Sequence, residues 1–323
     1  MYELFTDEFR EIPTGQPFRL GGGGNGGYST DDFIYAVDHH SAERSPLIVR
    51  KDTWELVDIP SQANAASTAI RGDDRGVYMA TNSGNLIVLS KPNFDFVVNL
   101  PVGRGLMDVA IDGDFIYMLE IGLASVVDNA RIFKIDISGT PEVVGSVVVG
   151  QHKNRRNWLN QLEVLNGVAY TISHSDGILR SWDLEKMELK EEHGYVHNSV
   201  GGISIDEEGK FIYASSGNSG AVFAFNLETN ELVEGVPSVS TNGMSITNDR
   251  THIYVSHDNV NVSCIRKSDM RLVGGPFSIG NSVCIHGHNI WNDKYFLYIS
   301  HRGQGPVTII DKYALHRGES GIL

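Results

Sequence analysis

Cysteine is nearly absent: 2 residues in 323. A disulfide-stapled scaffold is therefore excluded, and a chain of this length can bury about three quarters of its unfolded surface without staples. No run approaches the roughly 18 uninterrupted apolar residues of a membrane helix, so no membrane span is expected. Positive charge is scarce, with 26 Lys and Arg against 40 Asp and Glu and a net charge of −14. That balance argues against a nucleic-acid partner, whose phosphates call for a basic surface. The N-terminal MYELFTDEFREIP carries acids where a signal peptide carries lysines and then an apolar run. A soluble chain made in the cytoplasm is the expectation. Hydrophobic residues at 41% and charged residues at 20% exclude a disordered tail or a collagen-like fibre. What the chain does have is glycine, 35 residues of it.

One short phrase recurs from end to end: FIYAV, VYMAT, FIYML, AYTIS, FIYAS, IYVSH and LYISH. Its tyrosine falls at Tyr35, Tyr78, Tyr117, Tyr170, Tyr213, Tyr254 and Tyr298, at spacings of 43, 39, 53, 43, 41 and 44 residues. That period matches a propeller blade. Each copy has the same internal order. A short inner segment (GLMDV, GGISI, NGMSI) is followed by an acidic or Asn/Gly turn and the tyrosine phrase. An alternating run (RIFKIDI, ILRSWDL, AVFAFNL) and a last apolar run (WELVDI, FDFVVNL, MRLVGG) complete it. Alternating β-branched and aromatic residues bounded by turn formers are strand signals. The expectation is an all-β, seven-bladed β-propeller with four-stranded antiparallel blades, one domain over residues 1–323. The seventh copy lacks a convincing fourth strand, whereas residues 9–12 resemble one. The ring is expected to close by that N-terminal strand completing the last blade.

The third, fifth and sixth copies, VAIDGDFIYML, ISIDEEGKFIYASSGNSGAVFAFNLETNELVEG and SITNDRTHIYVSH, resemble the YVTN-type repeats of prokaryotic seven-bladed propellers, including the lactonase-like group. The resemblance covers essentially the whole chain at the level of blade consensus. It implies the fold strongly and the activity weakly, because this architecture hosts enzymes and inert platforms alike. Trp182-Asp183 is the one WD dipeptide at a third-strand end, so a WD-repeat protein is the poorer match.

In a propeller, loops between blades and between second and third strands share one face, and the remaining turns share the other. The first-to-second-strand turns collect Asp31, Asp32, Asp73, Asp74, Asp112, Asp114, Asp206, Asp249 and Asp293, an acidic face explained by turn formation and solubility. The opposite face is expected to carry His39, His152, Arg155, Arg156, Trp158, His174, His257, His301 and Arg302, and is the candidate binding face. Histidines at the ends of second strands can converge on a transition metal, although scattered polar-loop histidines are the plainer reading. Asp108, Glu163 and Asn289 are expected at matching inner-strand positions, where oxygens gathered at the axis suit Ca²⁺; the alternative is a polar, water-filled channel. No GxSxG elbow occurs, and GGGGNGG at 21–27 precedes a strand, not a helix. Cys264 and Cys284 read as buried thiols.

The expectation is a non-enzymatic propeller that binds other protein subunits, incorporated in a virion, a tail or another large assembly. The alternatives are a lactonase-like or metal-assisted hydrolase at the channel mouth, and a carbohydrate-binding surface propeller with Trp158 as a stacking platform.

Overall fold

The alternating segments become strands with almost no helix between them. The computed structural model describes residues 24–38, 45–121, 129–151, 161–173, 176–197, 200–236, 243–257, 261–279, 289–301 and 307–322. Seven antiparallel meanders follow one another in chain order. The second is representative, with strands Ser67–Gly72, Gly76–Thr81, Asn85–Ser90 and Asp95–Pro101. Each inner strand packs beside the next, and Ile290–Asn292 of blade seven packs beside Gly24–Ser29 of blade one, which closes the ring. The molecule is a seven-bladed β-propeller.

Blades two to six each pair four strands, while blades one and seven pair three. In blade one, residues 55–57 take the outer position, with Arg50 N donating to Glu55 O and Val57 N to Ile48 O, both at 2.9 Å. In blade seven the chain turns through a short helix, Lys312–His316, and comes back so that Ile322 bridges Ile310. The proposed N-terminal closing strand at residues 9–12 lies outside the described residues. Within them, it is the C-terminal segment that lies against the outer edge of Thr308–Asp311.

The seven tyrosines share one register. Across the inner strand they face Tyr28, Arg71, Ala110, Glu163, Ser204, Thr247 and Trp291. Across the third strand they face Ile48, Val88, Lys134, Ser181, Ala224, Cys264 and Ile309. The residue three positions beyond each third-strand partner meets the tyrosine of the preceding blade, so the seams between blades follow one rule. Three consecutive seams are aliphatic. Ile137 shares an apolar cluster with Tyr78, Leu184 with Tyr117, and Leu227 with Tyr170. The other four carry lysine. Lys267 lies over the Tyr213 ring, Lys312 over Tyr254, Lys51 over Tyr298 and Lys91 over Tyr35, with Nζ 4.9, 5.4, 5.8 and 5.5 Å from the ring centres.

The acidic turns therefore do more than turn the chain. Oδ1 of Asp73, Asp206, Asp249 and Asp293 each accepts two backbone N–H groups of its own turn. Asp249 and Asp293 also reach across seams, to Lys312 at 2.6 Å and to Lys51 at 2.5 Å. Each accepts the hydroxyl of its own blade's tyrosine at 2.7 Å. Lys51–Asp293 joins blade one to blade seven, so a nearly buried ion pair guards the point where the ring closes.

The same seam explains one glycine. A Cβ on Gly27 would lie 2.3 Å from the Trp291 ring, and both residues are buried. Gly27→Ala should lower stability by about 1–3 kcal/mol by overpacking, read as a lower urea midpoint with an unchanged slope. An unchanged midpoint would show that the seam can relax.

Candidate functional site

The axis is lined by inner strands, five of which share a β-bulge at the same place, among them Leu106/Asp108 and Gly243/Ser245. Pairing with the tyrosine strand corrects the expected alignment. Asp108 faces Leu119 two residues beyond its blade's tyrosine, and Asn289 O accepts Ser300 N at the equivalent place. Glu163 faces the tyrosine itself, Tyr170, and so belongs one layer along with Arg71 and Ser204. Gln161 fills the Asp108 layer in blade four. Asp108 and Gln161 play the same part. Asp108 Oδ2 accepts Leu162 N of the next blade at 2.8 Å, and Gln161 Oε1 accepts Ile203 N of the next blade at 2.5 Å. Asn289 Oδ1 accepts Ser256 Oγ at 2.9 Å.

Arg71 places its Nη2 3.9 Å from Asp108 Oδ1. Burial pushes the Glu163 carboxyl up to about 8; Arg71 pulls against that rise and Asp108 adds to it. That rise favours the protonated carboxyl near neutral pH. The three expected calcium ligands do not form one layer, and two of them already bind a neighbouring blade. A guanidinium also occupies the neighbourhood in which a divalent cation would need negative charge.

His257 and His301, expected on an exposed binding face, are buried at the ends of second strands. His257 Nε2 bonds Ser263 Oγ at 3.0 Å and His301 Nε2 bonds Thr308 Oγ1 at 2.6 Å, so each braces a second strand against the third. His39, His152, Arg155, Arg156, Trp158, His174 and Arg302 lie outside the described residues, as does Cys284.

A constellation that sequence reasoning missed lies on the turn side of blade six. His252 begins the second strand, Cys264 sits in the third strand directly opposite Tyr254, and His316 ends the C-terminal helix. One ring nitrogen from each histidine and the Cys264 thiol lie within 4.8 Å of one another. The imidazoles stack at 3.7 Å with 16° between planes. Burial and the adjacent His252 hold His316 down to about 4, and burial pushes the Cys264 thiol up to about 12. Beneath them Asp249 is fixed as an anion. Burial alone would raise its carboxyl, but Lys312 and the Tyr254 hydroxyl hold it well below the usual carboxylate range.

The fold and this axis define a closed propeller whose described polar side chains mostly join one blade or strand to the next. Neither a protein-family model nor a curated protein sequence matches the chain. Among solved structures it is similar to the computationally designed Ika8 protein, with a TM-score of 0.62 over 91% of this chain and 99% of that one at 8% identity. At that identity the likeness concerns the fold alone. With 1541 solved chains sharing the shape, the fold by itself selects no activity.

Proposed function

We propose that this propeller is a non-enzymatic platform that binds other protein subunits within a larger assembly. The observation that carries the reading is the use to which the axial polar groups are put. Asp108 and Gln161 bind the next blade's backbone, Asn289 binds Ser256, and His257 and His301 brace strand pairs. A ring clamped in this way is a rigid scaffold, so the ring itself pays little ordering cost when a partner binds. Exposed apolar side chains on outer strands, Val97, Val143, Val144, Leu189, Leu232 and Leu272, add contact area at the rim.

Purification from the native source, followed by cross-linking and hydrogen exchange, tests the reading. Loops 121–130 and 151–160 should be protected by a co-purifying protein over an interface of at least about 1,000 Å². A monodisperse monomer with both loops freely exchanging in its native setting contradicts it.

A specific observation favours a second reading. A carboxyl whose protonated form is favoured near neutral pH, beside Asp108 and Arg71, is the kind of group a hydrolase uses as a general acid. The similarity of the blade phrases to YVTN-type, lactonase-like repeats points the same way. On this reading the chain hydrolyses a lactone or ester, and Glu163→Gln abolishes turnover while leaving the ring folded. On the platform reading neither protein has such activity.

A further inference from the structure

The geometry points to a zinc-class metal site formed by His252, Cys264 and His316, in which the ion fastens the C-terminal helix to blade six. Two imidazole nitrogens and a thiolate are the donor set of a borderline-soft divalent ion such as Zn²⁺, with water completing a tetrahedron. Bond lengths of about 2.0 Å to nitrogen and 2.3 Å to sulfur place tetrahedral ligands roughly 3.4 Å apart. The three donor atoms lie within 4.8 Å of one another, so an ion bound here draws them closer together.

An independent observation concerns the proton on each ring. Tyr254 donates its one hydroxyl proton to Asp249 Oδ2 at 2.7 Å, so in its 2.7 Å bond with His316 the phenol oxygen accepts and Nε2 carries the hydrogen. Thr251 likewise donates to Asp249 Oδ1 at 3.2 Å, so in its 2.8 Å bond to His252 the hydroxyl accepts and Nδ1 carries the hydrogen. One carboxylate thereby fixes both tautomers, and leaves lone pairs on His316 Nδ1 and His252 Nε2. The rings stack face to face, so His252 must turn about its Cβ–Cγ bond to bring both lone pairs onto one ion. Metal-binding histidines characteristically have the far nitrogen held by such an oriented partner. Among the described residues no hydrogen bond reaches the Cys264 sulfur, which leaves it available as the third ligand. The ligands come from two blades' worth of chain, His252 and Cys264 from blade six and His316 from the helix that follows blade seven. An ion here therefore acts as a clasp, and reinforces the seam already made by Lys312 and Asp249.

The test uses the full chain, stripped of metal and titrated with Co²⁺ and then Zn²⁺. One equivalent of Co²⁺ should bind with a thiolate-to-cobalt charge-transfer band, Zn²⁺ should displace it, and Zn²⁺ should raise the Tm. Cys264→Ser should lose the band. His316→Gln, at a partly exposed helix end, should weaken binding by more than about 100-fold. Tyr254→Phe, which releases the His316 tautomer, should weaken it by about 10–100-fold. No stoichiometric uptake of either ion by the folded chain overturns the site, as does uptake unchanged in His316→Gln. His316→Gln decides the matter even if Cys264→Ser does not fold.

Discussion

Lys51→Met should lower the free energy of unfolding by about 3–5 kcal/mol, the cost of leaving a buried partner's charge uncompensated. Lys51 and Asp293 are both about nine-tenths buried and lie 2.5 Å apart. Lys51 also donates to Thr30 O at 2.5 Å. Burial by itself would raise the Asp293 carboxyl, but the ammonium and its hydrogen bond hold it below the usual carboxylate range. Removing Lys51 withdraws that support from an acid that still accepts Tyr295 N, Phe296 N and the Tyr298 hydroxyl. The pair Lys51→Met with Asp293→Asn should recover a large part of the loss, because the stranded charge goes with it. Urea denaturation of the two single variants and the double gives the coupling directly. A Lys51→Met cost below about 1 kcal/mol, the range of an exposed pair, would show that the ring does not depend on this seam.

Glu163→Gln should do the opposite and stabilise the fold, in a pH-dependent way. The folded carboxyl is raised from 4.5 to about 8. Between those values the unfolded chain gives up its proton while the folded chain keeps it, so wild-type stability falls as pH rises through that window. Gln never ionises, and its carbonyl can still accept a backbone hydrogen bond. The variant should match the wild type near pH 4.5 and exceed it by about 2–4 kcal/mol at pH 8–9, after discounting for the group's partial opening to channel water. Equilibrium unfolding of both proteins across pH 4–9 checks this. A difference that does not change with pH, or a less stable variant at pH 8, would mean that Glu163 is ionised and supported in the channel.

The seven tyrosines made the fold legible, because each must occupy the same place in a repeated blade and the spacing survives every loop insertion. The seam rule was present too, in lysines just past the third strands at 51, 91, 267 and 312. It stayed invisible because its partners are tyrosines of the preceding blade, more than a full repeat earlier in the chain for Lys91, Lys267 and Lys312 and near its other end for Lys51. Glu163 was misplaced by one layer for a definite reason. Chemical likeness aligns Glu163 with Asp108, whereas counting back from the tyrosine puts Asp108 and Gln161 nine residues before it and Glu163 seven. His257 and His301 looked like exposed ligands because histidine ends a strand there, whereas the third-strand hydroxyls of Ser263 and Thr308 draw both rings inward. The His252–Cys264–His316 cluster has no sequence spacing to betray it. It depends on a five-residue helix turning back over blade six and on one aspartate fixing both rings.

The most direct test replaces the seam residue with methionine at all seven places and measures each unfolding free energy in urea. If seams are built as described, Met at Ile137, Leu184 and Leu227 costs less than about 1.5 kcal/mol, as volume-conserving swaps do. Met at Lys51 and Lys312, whose aspartates are buried with them, costs several kcal/mol. Equal and small costs at all seven positions would contradict the account.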